Sequence, residues 1–130
     1  MIGYVTVGSN DLQKARSFYD ALMPTLGAGR MFEFGDNFTM YGTGMGKPGL
    51  AVCKPYDGHS ASVGNGNMTA IACDSRARVD AKYSRAMELG ASDEGAPGLR
   101  GEEGPQAFYG GYFRDLDGNK LCAFRIGLAD

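Results

Sequence analysis

Few residues of this chain could do chemistry, and they are scattered. Among its 130 residues are one histidine, His59, and three cysteines, Cys53, Cys73 and Cys122. One histidine excludes a metal site built from two or three imidazoles of a single chain. His59 lies in the polar run Asp57-Gly58-His59-Ser60, so it is either a solvated surface side chain or a catalytic base. The cysteines are odd in number, far apart and each within an apolar run, which reads as reduced, buried thiols. Asp115 and Asp117 flank Gly118; turn chemistry accounts for both, and a two-carboxylate acid–base pair is the rival. Arg100, Glu102 and Glu103 crowd one Gly-rich segment, either as solvated charges or as groups that hold a polar ligand.

The elements that must position these residues follow from periodicity. Residues 2–8 are rich in β-branched types and lead into Ser9-Asn10-Asp11, a helix-start cluster. Leu12, Ala15, Phe18, Tyr19 and Leu22 then recur at helical spacing, predicting a helix over 11–23 that Pro24 ends. Short strands follow at 31–34, 38–41 and 50–54, the first two joined by Gly35-Asp36-Asn37. After a polar stretch at 56–67 the pattern restarts with a strand at 68–73, the helix start Asp74-Ser75, and a stripe of Val79, Tyr83, Ala86 and Met87 closed by Leu89-Gly90. A long Gly-rich loop is expected over 91–105, mobile or ligand-covering, before strands at 107–113 and 120–126. Overlaid at an offset of 64, Tyr4 meets Met68, Asn10 meets Asp74 and Tyr19 meets Tyr83. Strand, cap and helix coincide, so the chain reads as a duplicated strand–helix–strand–strand–strand unit. The fold class is α+β: two βαβββ modules, each a four-stranded sheet with a helix on one face, in one domain over 1–130. Module one covers about 1–58, a linker about 59–66 and module two about 67–127.

Composition narrows the function. Lys and Arg total 13 against 15 Asp and Glu, so no basic surplus is present to neutralise nucleic-acid phosphates. The 21 glycines are about twice the usual share of roughly 7%, which favours turns and short strands. Gly42-Thr43-Gly44-Met45-Gly46-Lys47-Pro48 lacks the spacing and the Ser/Thr of a phosphate loop and reads as a turn. Gly64-Asn65-Gly66 opens no dinucleotide fingerprint. No 18-residue apolar window and no basic, apolar leader is present, so no membrane partner and a cytoplasmic location are expected.

The stretch Phe113-Arg114-Asp115-Leu116-Asp117-Gly118-Asn119-Lys120-Leu121 resembles the final hairpin of the vicinal oxygen chelate superfamily, the glyoxalase, bleomycin-resistance and extradiol-dioxygenase relatives. Tyr4 to Asp11 looks like their first strand and helix start, Arg16-Ser17-Phe18-Tyr19 is similar to their first-helix pattern, and Gly64 to Ala70 fits the entry to the second module. The resemblance implies paired βαβββ modules forming curved sheets around a cavity, sites at or near a homodimer interface, and in many members a divalent ion chelated by vicinal substrate oxygens. Its ligands would be a histidine early in strand one and a glutamate in strand four of each module. Carried over residue by residue, the histidine positions hold Tyr4 and Met68. The last-strand carboxylate position holds Cys122, and its first-module counterpart falls within Ala51-Val52-Cys53.

No metal cofactor is therefore expected; a soft-metal site at Cys122, Met68 and Cys53 is the alternative. The pocket without the metal would offer Tyr4, Met68, Tyr109, Cys122 and Phe124 as an apolar wall, with Arg100 and Tyr112 as its polar contacts. The expectation is a dimeric small-molecule-binding protein for an apolar or amphipathic metabolite or drug. One rival is a lactoylglutathione-lyase-like isomerase or other lyase with a metal on unusual residues. Another is metal-free acid–base catalysis by Tyr4, Glu102 or His59.

Overall fold

A computed structural model describes all 130 residues. Strand β1 (Tyr4–Gly8) leads into helix α1 (Leu12–Leu22), followed by a 3-10 turn (Met23–Leu26) and strands β2 (Gly29–Phe34), β3 (Phe38–Gly42) and β4 (Gly49–Cys53). The second module repeats this order: β5 (Thr69–Ala72), α2 (Arg76–Glu88), β6 (Ser92–Leu99), β7 (Phe108–Arg114) and β8 (Lys120–Ile126). Two four-stranded sheets result, ordered β1-β4-β3-β2 and β5-β8-β7-β6. In each the first strand runs parallel to the last and the remaining pairs are antiparallel. No helix is long and apolar enough to cross a membrane.

The expected caps form. The Asp11 carboxylate accepts from Lys14 N and the Ser75 hydroxyl from Arg78 N, each satisfying a free N–H of a first helical turn. The α1 stripe of Leu12, Ala15, Phe18, Tyr19 and Leu22 is buried against Val7, Tyr41, Leu50 and Val52 of the first sheet. The same core takes in Ala86, Phe113 and Leu121 of the second module, so the helix-facing sides of both sheets share one apolar interior. The other side of each sheet carries no helix.

The hairpin turn after β7 joins the modules. Asp115 is buried and accepts from Tyr19 Oη at 2.6 Å and from Asp117 N, Asn119 N and Asn119 Nδ2, each at 2.9 Å. Asn119 Nδ2 also donates to Gly8 O at 2.9 Å, and Asn10 N donates to Asp117 Oδ1 at 2.9 Å. Asn10 exchanges a further pair of hydrogen bonds with Ala61, so the intervening segment is tied to the start of α1.

One expected loop is a strand. Residues 92–99 form β6 and pair with β7 through register shifts between Asp93 and Gly95 and between Gly95 and Gly98. Gly95, Pro97 and Gly98 leave no alternation of apolar and polar side chains, which hid the strand. Gly95 has φ 144°, a conformation L side chains rarely adopt.

Candidate functional site

The sheet faces turned away from the helices gather most of the candidate side chains. On β7 and β8, Phe113, Leu121 and Ala123 bury towards α2. Alternation then puts Phe108, Tyr112, Lys120, Cys122 and Phe124 on the open face. Phe108 and Phe124 stack with centroids 5.3 Å apart and planes 4° from parallel. The Arg100 guanidinium lies over the Tyr112 ring at 5.2 Å, and Lys120 Nζ sits 5.7 Å from the same ring.

Glycines hold Arg100 there. A Cβ on Gly95 would lie 3.2 Å from Arg100 Nη2 and 3.4 Å from the Tyr112 ring, and one on Gly98 would lie 3.3 Å from Arg100 Nη1. The missing side chains let the flat cation lie against the strand, where Nη1 donates to Gly98 O at 3.0 Å and Nη2 to Ala96 O at 2.9 Å. The glycine-rich run is thus a cradle. Burial pushes the Tyr112 hydroxyl up, with Arg100 pulling the other way. Burial also pushes the Cys122 thiol up, opposed by the Tyr112 hydroxyl beside it.

The first sheet's open face differs. Tyr4 meets Phe38 edge-on at 6.1 Å, and Phe32 stacks on Phe38 at 5.8 Å. Tyr4, Phe32 and Phe34 remain exposed. Between the sheets runs a groove of about 830 Å³ lined by Val5, Met23, Leu26, Leu50, Ile71 and Cys73, among others. A more polar recess of about 430 Å³ lies by Gly8, Met68 and Asn119.

Arg100, Tyr112, Cys122 and Phe124 therefore share the second open face. Met68 precedes β5 and lines both recesses. Tyr109 departs from the expected wall: its parity in β7 turns it to the helix side, where its hydroxyl donates to Asp80 at 2.7 Å under the Arg76 guanidinium. The three catalytic candidates are not brought together. Tyr4 is on the first sheet, Glu102 is exposed beyond β6, and His59 is exposed and faces Asp57 at 3.3 Å. Asp115 and Asp117 act as turn and clamp groups. Sequence reasoning missed Lys120 and Phe108 on the open face, although the alternation Lys120-Cys122-Phe124 was readable in β8.

The architecture has clear counterparts. The sequence profile of the Glyoxalase/Bleomycin resistance protein/Dioxygenase superfamily matches residues 1–123. The chain belongs to this superfamily. A glyoxalase/bleomycin resistance protein from Albidiferax ferrireducens T118 is 33% identical, with 96% of this chain and 98% of that one covered and a TM-score of 0.85. A lactoylglutathione lyase from Agrobacterium tumefaciens shares the fold at 19% identity, 96% and 92% coverage and a TM-score of 0.65. So does a glyoxalase-related enzyme from Fulvimarina pelagi, at 19% identity, 96% and 87% coverage and a TM-score of 0.70. No curated protein matches the sequence.

The superfamily's divalent ion can be tested against the donors this chain presents. Thr6 pairs with Ala51 in the first sheet as Ala70 pairs with Cys122 in the second, so the counterpart of Cys122 is Ala51. Ala51 has no donor atom. Cys122 is fully buried, and burial favours its protonated thiol. Tyr4 and Met68 complete a set with no imidazole and no carboxylate, and no three His, Cys, Asp or Glu side chains cluster anywhere in the chain. These residues do not fit a hard divalent ion.

Proposed function

We propose that this chain is a small-molecule-binding member of the superfamily that takes an amphipathic organic anion without the superfamily's metal. One observation carries the reading: the guanidinium of Arg100, laid in the Gly95–Gly98 cradle and stacked on Tyr112 beside Lys120. A held guanidinium and a second cation by one aromatic ring suit a carboxylate or phosphate group, and the Phe108–Phe124 stack on the same face suits an apolar body. Preorganisation supports affinity, because little side-chain freedom is left for Arg100 to lose on binding. The uncovered aromatic face of the first sheet supports assembly as a homodimer, since exposed apolar patches of this kind mark contact surfaces.

The test is thermal unfolding across a panel of aromatic and aliphatic carboxylates and phosphate esters, before and after chelator treatment. Stabilisation that survives chelator and vanishes in Arg100→Ala is the expected result. Stoichiometric tightly held metal, with turnover of the methylglyoxal–glutathione hemithioacetal, would replace this reading with the lyase one. Turnover that survives chelator and falls in Tyr4→Phe would select metal-free acid–base catalysis instead.

A further inference from the structure

The groove of about 830 Å³ lies apart from Arg100, Tyr112 and Lys120, none of which lines it. Its wall takes in Ile2 and Val5 of the first module and every residue from Met68 to Asp74 of the second. Over one face of a sheet only alternate residues would line it, so the groove follows the free edge of β5. β1 and β5 are each the edge strand of their own sheet and do not pair with one another. The more polar recess takes Thr6 to Gly8 together with Met68 and Thr69, so the two edges run in opposite directions along one trough.

That opposition brings three charged side chains to one end. Gly49 N donates to Gly3 O at 3.0 Å, which sets the turn before β4, and Lys47 in it, at the start of β1. β5 ends there too and leads through Cys73 and Asp74 to Arg78 in the first turn of α2. Lys47, Asp74 and Arg78 all line the groove. Arg78 Nε faces Asp74 Oδ1 at 3.5 Å and Nη1 donates to Thr25 O at 2.9 Å, which leaves Nη2 without a protein acceptor. No carboxylate pairs with Lys47. Two cations thus stand against one carboxylate. Lys82 of α2 is fully buried without a hydrogen-bond partner and does not line the groove; burial brings it down to about 8. The rest of the wall is mostly apolar, and its Met23 and Leu50 belong to the core, so it is formed before any ligand arrives.

An apolar length with a cationic end fits a molecule with an apolar tail and an anionic head. β5 has 4 residues, about 13 Å at roughly 3.3 Å each. An extended hydrocarbon chain covers that length in about ten atoms, because its bonds of about 1.5 Å zigzag. One free guanidinium nitrogen and one ammonium match the two oxygens of a carboxylate. We infer that the groove is a second binding site, for a straight-chain carboxylate of about ten carbons, its head between Lys47 and Arg78 and its tail along Leu26, Leu50 and Ile71.

The experiment titrates the whole protein with sodium decanoate at pH 7 in a calorimeter. One decanoate per chain is expected, with the same affinity in Arg100→Ala, which removes the open-face cation and leaves the groove intact. Lys47 lies in an exposed turn, so Lys47→Glu should fold; it should weaken binding about tenfold or more, and Arg78→Gln repeats the test from the other side of the head. Butanoate, with too short a tail, should bind at least tenfold more weakly than decanoate. Loss of binding in Arg100→Ala would move decanoate to the open face and overturn the inference. Unchanged affinity in Lys47→Glu, or equal binding of decyltrimethylammonium, would reduce it to unspecific apolar adsorption. A dimer that shows no saturable binding would mean that a second copy of the chain covers the groove instead.

Discussion

The two modules share strand order, sheet register and capping chemistry, yet they present different surfaces. The first module's open face is aromatic and uncharged, built on Tyr4, Phe32 and Phe38. The second carries two cations on one tyrosine ring, and its β6 is bent by glycines to admit a guanidinium. Inside, α1 buries Phe18 where α2 buries Lys82. The difference teaches that duplication preserved the backbone, whose hydrogen bonds are obligatory, while side-chain chemistry diverged. The second module carries charge in two places where the first does not, its open face and the Lys82 position of α2.

Four substitutions sharpen or break that contrast. The largest expected effect is at the clamp between the modules. Asp115→Ala leaves four donors without their acceptor in a buried place and should lower unfolding stability by about 3–5 kcal/mol in urea titrations. A loss below about 1 kcal/mol would mean that the modules hold together through their shared apolar core alone.

Next is Lys82. Its folded value, about 8, lies below the 10.5 of an ordinary lysine, so the unfolded chain holds a proton that the folded one releases between these values. Stability should therefore rise with pH from about 8 to about 10.5, by about 3 kcal/mol relative to Lys82→Met. Near pH 7 the methionine variant should be the more stable protein by about 1–3 kcal/mol. Parallel pH–stability curves for the two proteins would show that Lys82 finds a partner in solution and is no anomaly beside Phe18.

The smallest effect compares equivalent tyrosines. Tyr19 is fully buried, and its hydroxyl is pushed well up by burial and by Asp115; Tyr83 is less buried and donates to Asp93 at 2.7 Å. Tyr19→Phe should cost about 1–2 kcal/mol and Tyr83→Phe about 0.5 kcal/mol or less, because water can replace only the second bond. Equal losses would contradict the view that the modules differ in how much of their polar chemistry is sealed from solvent.

Much of the fold was legible. The helices announced themselves through Leu12-Ala15-Phe18-Tyr19-Leu22 and through the Asp11 and Ser75 caps, because a buried helical stripe needs apolar residues at a fixed spacing and free N–H groups need acceptors. Strand β6 was not legible, since its glycines serve a close approach by Arg100, a contact whose partner sits beyond the strand's own end. Most of the candidate open face was named in advance from the resemblance. Tyr109 was misplaced by one residue of parity, because the two-residue alternation of β7 cannot be phased until one of its side chains is known to be buried.

By itself the sequence determined the module repeat, the caps, the turn at Asp115 and the lack of any histidine cluster, because these depend on local spacing and residue count. Only the tertiary structure decided that Arg100 lies against Gly95, Gly98 and Tyr112, and that Lys82 is buried with no hydrogen-bond partner. Those contacts depend on register shifts and on how a helix lies over a sheet. Arg100 and Tyr112 lie on separate segments at a spacing that carries no period, so packing alone could bring them together.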